Sequence, residues 1–421
     1  MPTPGQETEQ GESMQVSGGG AATGPHVLRR MNVAAVLAAL REAEAATARV
    51  TELAAATGLS RPAVTRALTE LRERGLVDFA PAAPAGPPAP QRGRPAQYAR
   101  FRAEVGHVAG VDIGPHKVLV LVADLAGRVR AAHRAAVAPG ATGPELFTAV
   151  RTALTAAAVE AGLDPSGLWA VAAGTPGIVD RDRGEVLLAP SIPGWAGLPA
   201  VGELRDWLRC PVLLDNDVNL AVLAERRLGP AADTDNLVFV QWGERIGTGI
   251  VIGGRPYRGA SAAAGELGFV DLDGPGDGPA EPLRPDGMGP FERLVGAAAV
   301  HRLAVAAGAP VGEGHDIAPL FAAAAAGDPH ALAVVDEVAD RFARGLATLL
   351  LILDPGRVVI GGGVSQAGET LLGPLRRHLR GRTLVPVTVE ASALGERSVA
   401  LGAVRQALGA AEERLTGPAH L

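Results

Sequence analysis

Apolar positions recur at two periods along this chain, and the change from one to the other divides it. From Asn32 to Ala43, "NVAAVLAALREA" repeats every three to four residues, as one face of a helix does. "RVTELAAATGLS" reads as a second helix, with Thr51 as its N-cap and Gly58 as its stop. Ser60 is placed to cap a third, "RPAVTRALTELRERG", with Pro62 in its first turn and Gly75 at its end. A helix, a short glycine-containing turn and a second helix form the helix-turn-helix pattern. "LVDFA" and "QYARF" then read as two short strands around the proline-rich tip "PAAPAGPPAPQRGRPA", which completes a winged helix-turn-helix. From about Gly106 the period shortens. Runs such as "HVAGVDI", "VLVLVADL", "LWAVAAGTPG", "CPVLLDN", "NLVFVQWG", "GIVIGG" and "RVVIGGG" alternate with alanine-rich helical stretches, an α/β pattern consistent with two halves around a cleft. The expected organisation is a disordered tail over 1–25, rich in Gly, Ser, Thr and Gln, a winged module over 26–102 and an α/β body over 106–421.

Charge sharpens this division. The net charge of −6 conceals +6 over residues 26–102, where twelve Arg face six acidic groups, against −3 before them and −9 after. A small basic module on an acidic body suggests a polyanionic partner. Ser60, Arg61, Val64, Thr65 and Arg66 are expected on the exposed N-terminal half of the third helix, with Leu68, Leu71 and Leu76 packed inward. A recognition helix presents such polar residues to the major groove. Arg92 and Arg94 flank one Gly near the wing, where a basic loop reaches the minor groove. The 421 residues are 47% apolar and carry a single cysteine, Cys210, so no internal disulfide forms, which suits a reducing cytoplasm. The acidic start "MPTPGQETEQGESMQ" does not read as a signal peptide, and no run reaches the roughly 18 apolar residues of a membrane span.

The chemistry-bearing residues gather in the body. "VLLDNDVNLAVLAERRLG" sets Asp215, Asn216 and Asp217 between a strand and a helix, and "RGASAAAGELGFVDLDG" adds Glu266 in a loop of small residues. A carboxylate at a strand end can accept a hydroxyl proton, and the adjacent Asn can hold that hydroxyl. A helix-capping role for Asp217 is the plain alternative. Together with "GVDIGPHK", "AAGTPGIVD" and "RVVIGGGVSQAGE", these stretches resemble the ROK family of bacterial repressors and sugar kinases. "YRGASAAAGELG" is the most specific of them, and the N-terminal module is similar to that of the family's regulators. The resemblance implies a two-lobed actin-like ATPase fold with sugar bound in the cleft. It implies that Asn216 holds a sugar hydroxyl, that Asp217 is the general base, and that Glu266 and Glu292 bind sugar, with Gly177 and Ser191 lining the same pocket. Asp215 stands where the family often has Glu, and Gly361, Gly362 and Gly363 stand where the family approaches adenosine.

The departures carry the expectation about function. The family's first phosphate loop, D-[IL]-G-G-T-[KN], is replaced by Asp112-Ile113-Gly114-Pro115-His116-Lys117. Its second, G-T-G-I-G, becomes Gly243-Glu244-Arg245-Ile246-Gly247, which puts a carboxylate where phosphate would sit, with Arg245 as a partial offset. Phosphoryl transfer depends on positioning and charge neutralisation, so both losses argue against it. The family's zinc ligands, a His and three Cys, are also missing: Phe269 stands at the His position, and no Cys lies between Asp271 and Glu292. His301 and His315 read as surface or helix residues. Three readings stay open: a sugar-sensing DNA-binding regulator, a sugar kinase with an added DNA module, and a regulator whose pocket is dead. The retained Asn216, Asp217 and Glu266 favour the first. It is expected to use no metal or other cofactor, to bind operator DNA and a sugar or sugar derivative, and to assemble as a homodimer or homotetramer in the cytoplasm, away from membranes.

Overall fold

The computed structural model describes residues 25–43, 46–81, 97–232, 234–272 and 287–416. Apart from Pro25, the expected tail over 1–25 lies outside the described residues, as do Arg92 and Arg94. Two compact units divide between Phe101 and Arg102.

The first unit runs α1 (Pro25–Glu42), β1 (Thr47–Ala48), α2 (Val50–Thr57), α3 (Arg61–Glu73), β2 (Val77–Pro81) and β3 (Gln97–Phe101). The strands form an antiparallel sheet in the order β1-β3-β2. Val36, Leu40, Leu53, Leu68, Leu71 and Leu76 are buried together as its core. Gly58 ends α2 with φ +69°, a left-handed turn that only Gly adopts freely. Ser60 caps α3 by accepting the Ala63 N–H at 3.4 Å. Two expectations change. Thr51 lies inside α2, and the cap position is Arg49, whose N–H donates to Glu52 Oε2 at 2.8 Å. Val64 is fully buried and not on the exposed face, because it shares the inward stripe of Leu68 and Leu71 at spacings of four and seven residues.

The second unit begins with β4 (His107–Ile113), β5 (Lys117–Asp124) and β6 (Val129–Ala136), an antiparallel meander. It continues with α4 (Gly143–Glu160), β7 (Leu168–Thr175), the hairpin β8 (Ile178–Asp180) and β9 (Glu185–Leu188), α5 (Ala200–Leu208) and β10 (Val212–Asn216). α6 (Asp217–Leu228) then leads to the second lobe: β11 (Leu237–Trp242), β12 (Ile246–Ile252), β13 (Arg255–Pro256), α7 (Pro290–Val295), α8 (Ala297–Ala306), α9 (Ala318–Ala325) and α10 (Pro329–Leu353). β14 (Arg357–Gly361), α11 (Glu369–Leu379), β15 (Thr388–Ala391) and α12 (Ser398–Thr416) complete the chain.

Each lobe holds a five-stranded sheet, in the orders β10-β7-β4-β5-β6 and β13-β12-β11-β14-β15. The topology repeats: an antiparallel meander carries two further parallel strands on its inner edge. The inner strands are buried on both faces, which is why they read as unbroken apolar runs. β6 alternates half-buried and exposed residues as an edge strand does, and its "VRAAHRAA" carries no strand-like apolar run. α12 packs on β4 and β7, α6 packs on β11 and β12, and the two helices pack on each other. In the second lobe Trp242 stacks on Phe342 with centroids 3.6 Å apart, at the centre of a core roofed by α7–α11.

Candidate functional site

The cleft forms where β10 hands over to α6. Asn216 supplies the N-cap: its Oδ1 accepts the Val218 and Asn219 N–H groups at 3.0 and 3.2 Å. Its Nδ2 donates to the Gly177 carbonyl at 2.9 Å. Capping therefore belongs to Asn216, and Asp217 is the first helical residue, its Oδ1 accepting the Val218 N–H at 2.8 Å. Gly177 adopts φ +103°, and a Cβ there would lie 2.0 Å from the Leu188 carbonyl oxygen, so the β8–β9 hairpin can approach only a glycine. From the second lobe, Glu266 precedes a short 3₁₀ turn (Leu267–Phe269). The Glu292 side chain is buried at the start of α7, with its oxygens accepting the Ile246 and Gly289 N–H groups at 2.9 Å each. Gly177, Ser191, Asn216, Asp217, Glu266 and Glu292 all line this one cleft, of about 120 Å³.

Three carboxyls near the cleft have pKa values raised above the ordinary carboxylate range. Asp217 is pushed up to about 7, chiefly by desolvation, then by the charge of Asp112 and more weakly by that of Glu266, against the Val218 hydrogen bond. Burial, with Glu292 nearby, raises Glu266. Burial also raises Asp112, opposed by Lys117, whose Nζ is 3.3 Å from its Oδ2. Asp217 is thus the side chain best placed to exchange a proton near neutral pH with a hydroxyl in the cleft.

Asp215 lies behind the cleft, 1% exposed. It accepts from Arg258 Nη2 at 2.7 Å, pairs with Arg181 Nε at 3.0 Å and accepts the Asn216 N–H at 2.9 Å. Arg258 comes from the second lobe, so Asp215 ties the loop carrying Glu266 to the strand end carrying Asn216 and Asp217. Sequence reasoning named Asp215 without finding this role; the signal was an Arg in the "YRG" stretch facing a strand-end acid. It also missed Asn219 and Thr248 in the cleft wall. Their Oδ1 and Oγ1 atoms are buried with no hydrogen-bond partner among the described residues. Asn219 could have been found three residues after Asn216, on the same helix face.

The two altered phosphate turns meet each other. The β4–β5 turn closes with the Gly114 N–H donating to the Lys117 carbonyl at 2.9 Å. From that turn His116 Nε2 reaches to 3.4 Å of Glu244 Oε2, in the β11–β12 turn of the other lobe. Arg245 lines the cleft of Asp217 and Glu266, where its Nη1 donates to the Gly287 carbonyl at 2.5 Å and lies 3.7 Å from Glu292 Oε2. Gly361 and Gly362 pack directly on Phe239 and on the Trp242 backbone, a structural use of the glycine run.

In the first unit, α3 exposes Ser60, Arg61, Thr65 and Arg66. Other arginines are tied down: Arg29 and Arg74 to Glu70, Arg49 to Glu52, Arg100 to Asp78. Among the described residues, neither Arg61 nor Arg66 enters an ion pair, so the N-terminal face of α3 keeps its positive charge for an outside anion. Arg92 and Arg94, the expected wing contacts, lie outside the described residues.

Among the described residues no donor set fits zinc. Phe269 offers no ligand atom, and Cys210 is buried in the first lobe's core. Among the described residues no three His, Cys, Asp or Glu side chains group as a metal site, and no single helix is long and apolar enough to cross a membrane.

Residues 28–86 match the MarR family. The glucokinase of Thermotoga maritima is 35% identical over 223 residues, covering 50% of this chain and 68% of that protein. The xylose repressor of Caldicellulosiruptor bescii is 26% identical over 318 residues, covering 72% of this chain and 78% of the repressor. A solved ROK family transcriptional regulator, described as a homolog of the E. coli MLC protein, superposes with a TM-score of 0.74 at 22% identity, over 93% of this chain and 99% of its own. At that identity the superposition speaks for the fold: a winged helix-turn-helix followed by a two-lobed, actin-like body. Residues 108–409 match the ROK family, and with the repeated lobe topology and the Asn216-Asp217 and Glu266 cleft this places the chain in that family.

Proposed function

We propose that this protein is a DNA-binding transcriptional regulator, acting as a repressor, whose ROK body senses a sugar or sugar derivative and so changes operator affinity. One observation carries the reading: all six expected sugar-lining residues share one cleft, while the two turns that would hold phosphate are bridged by His116 and Glu244. The groups kept are those expected to bind sugar, and the groups altered are those expected to hold phosphate. Sugar bound between Asn216, Asp217 and Glu266 would favour one lobe arrangement over another, and in a homodimer or homotetramer that shift would alter the spacing of two winged modules. A second reading, an ATP-dependent sugar kinase with a DNA module, draws on Asp217, whose pKa of about 7 suits a general base.

The deciding assay pairs ATP turnover with operator release over a panel of sugars. Sugar-tuned operator binding without turnover supports the regulator. Sugar-dependent ATP consumption abolished by Asp217→Ala supports the kinase. DNA binding is expected to weaken with salt, because it rests on Arg–phosphate contacts, and to be absent from a fragment starting at Gly106. Arg66→Ala should lower affinity for the true operator about tenfold or more, and nonspecific binding less, because a base-edge contact is worth about 1–3 kcal/mol. Electrophoretic shifts on specific and scrambled duplexes separate the two; equal losses would place Arg66 on phosphate alone.

The regulator is also proposed to work without zinc. Elemental analysis of protein purified without chelator should find no stoichiometric metal, whereas one zinc per chain would mean that other donors have replaced the missing set.

A further inference from the structure

Among the described residues that line the cleft, Phe269 is an aromatic side chain that no hydrogen-bonding role explains. Phe269 is 38% exposed, while its neighbours Leu267 and Gly268 are buried and Val270 and Leu272 pack against the second lobe's core. A phenyl ring beside an apolar core would ordinarily turn into it. The Phe269 N–H donates to the Glu266 carbonyl at 3.1 Å, and Gly289 packs so closely that a Cβ there would be 2.9 Å from Phe269 Cα. The backbone that carries the ring is held in place, and the exposed ring lines the cleft wall three residues from Glu266.

Around it the cleft is two-sided. Asn216, Asp217, Ser191 and Glu266 offer acceptors and donors, and Phe269 offers an apolar face. The complementary ligand has hydroxyls along its edge and an unbroken C–H surface on one face. An aromatic face carries the negative end of its quadrupole and attracts polarised C–H groups, in addition to burying apolar area. Resting on the sugar reading of this cleft, we infer that Phe269 is a ligand-contacting, specificity-determining residue that stacks on the C–H face of a pyranose whose hydroxyls are equatorial.

Isothermal titration of the full chain tests this with D-glucose and D-xylose. Two epimers serve as comparisons: D-galactose, whose axial 4-hydroxyl interrupts one face, and D-allose, whose axial 3-hydroxyl interrupts the other. The wild type should bind an equatorial sugar about tenfold more tightly than at least one epimer. Phe269→Ala should weaken that sugar about tenfold and remove the discrimination, and Phe269→Trp should keep both. NMR adds a readout that a merely structural role would not move. C–H protons on the stacked face of the bound sugar should shift upfield through the ring current, and Phe269→Leu, which keeps apolar bulk, should abolish the shift. Sugar binding that Glu266→Ala removes but Phe269→Ala leaves unchanged, with the epimer preference intact, overturns the stacking role alone. A wild type that binds none of these sugars overturns the sugar reading, and the stacking role with it.

Discussion

Replacing Asp215 with Ala is expected to destabilise the ROK body by roughly 3–5 kcal/mol, the range for removing one partner of a buried ion pair. Asp215 is 1% exposed and holds two guanidinium groups, Arg258 at 2.7 Å and Arg181 at 3.0 Å. Its removal leaves two cations facing a poorly solvated space and releases the Asn216 N–H. Arg258 is the more enclosed partner, with 19% of its side chain exposed against 39% for Arg181, so most of the penalty should lie in the Asp215–Arg258 pair. Urea unfolding measures the total. A double-mutant cycle with Arg258→Met should return a coupling of about 1–3 kcal/mol. The same substitution should weaken the sugar response, because the loop holding Glu266 loses its tie to the strand end holding Asn216. A change below about 1 kcal/mol would show that the arginines find other partners without strain.

Asp217→Asn is expected to stabilise the protein at alkaline pH and to impair sensing. The Asp217 pKa rises from 3.8 to about 7 on folding, so the native state holds this proton more tightly than the unfolded chain does. The stability it contributes is fully present below pH 3.8 and is lost as pH climbs through about 7. Above that, folding must keep a carboxylate near Asp112 and Glu266. Asn removes that charge. At pH 8.5 the variant should therefore be about 1–3 kcal/mol more stable than the wild type, a figure lowered from 1.36 kcal/mol per pKa unit because Asp112 and Glu266 share the titration. Near pH 4 the difference should vanish. Asp112 and Glu266 titrate in the same field, so the transition should be broad. Sugar affinity should fall about tenfold, the effect of leaving one buried polar contact unmade. Thermal melts across pH, paired with sugar titrations, test both halves. A variant less stable than the wild type at pH 8.5 would show that the carboxylate, and not the acid, is the form the fold favours.

Much of the fold is legible in the sequence alone. The 3.6-residue period, Gly58 and Ser60 placed α2 and α3, because a left-handed stop and a hydroxyl cap are local events. The inner strands declared themselves as apolar runs, since both their faces are covered. β6 and the short β1 did not: an edge strand and a two-residue strand take their structure from their neighbours rather than from their own composition. Val64 was misplaced although its signal is local: it stands four and seven residues before Leu68 and Leu71, on their inward stripe, while its neighbours Thr65 and Arg66 face water.

At the site, the sequence by itself determined which groups were present and which were missing: the carboxylates and amide of the candidate cleft, two turns that depart from the family's phosphate loops, and no His or Cys at the family's zinc positions. Such statements need only residue identity and local spacing. The tertiary structure decided who meets whom. Residues 128 positions apart, His116 and Glu244, face each other across the lobes; Arg258 reaches Asp215; Arg245 reaches the Gly287 carbonyl. These pairings depend on how two sheets and the helices α6 and α12 set the distance between the lobes. That distance is a property of long-range packing, for which no residue carries a local signal.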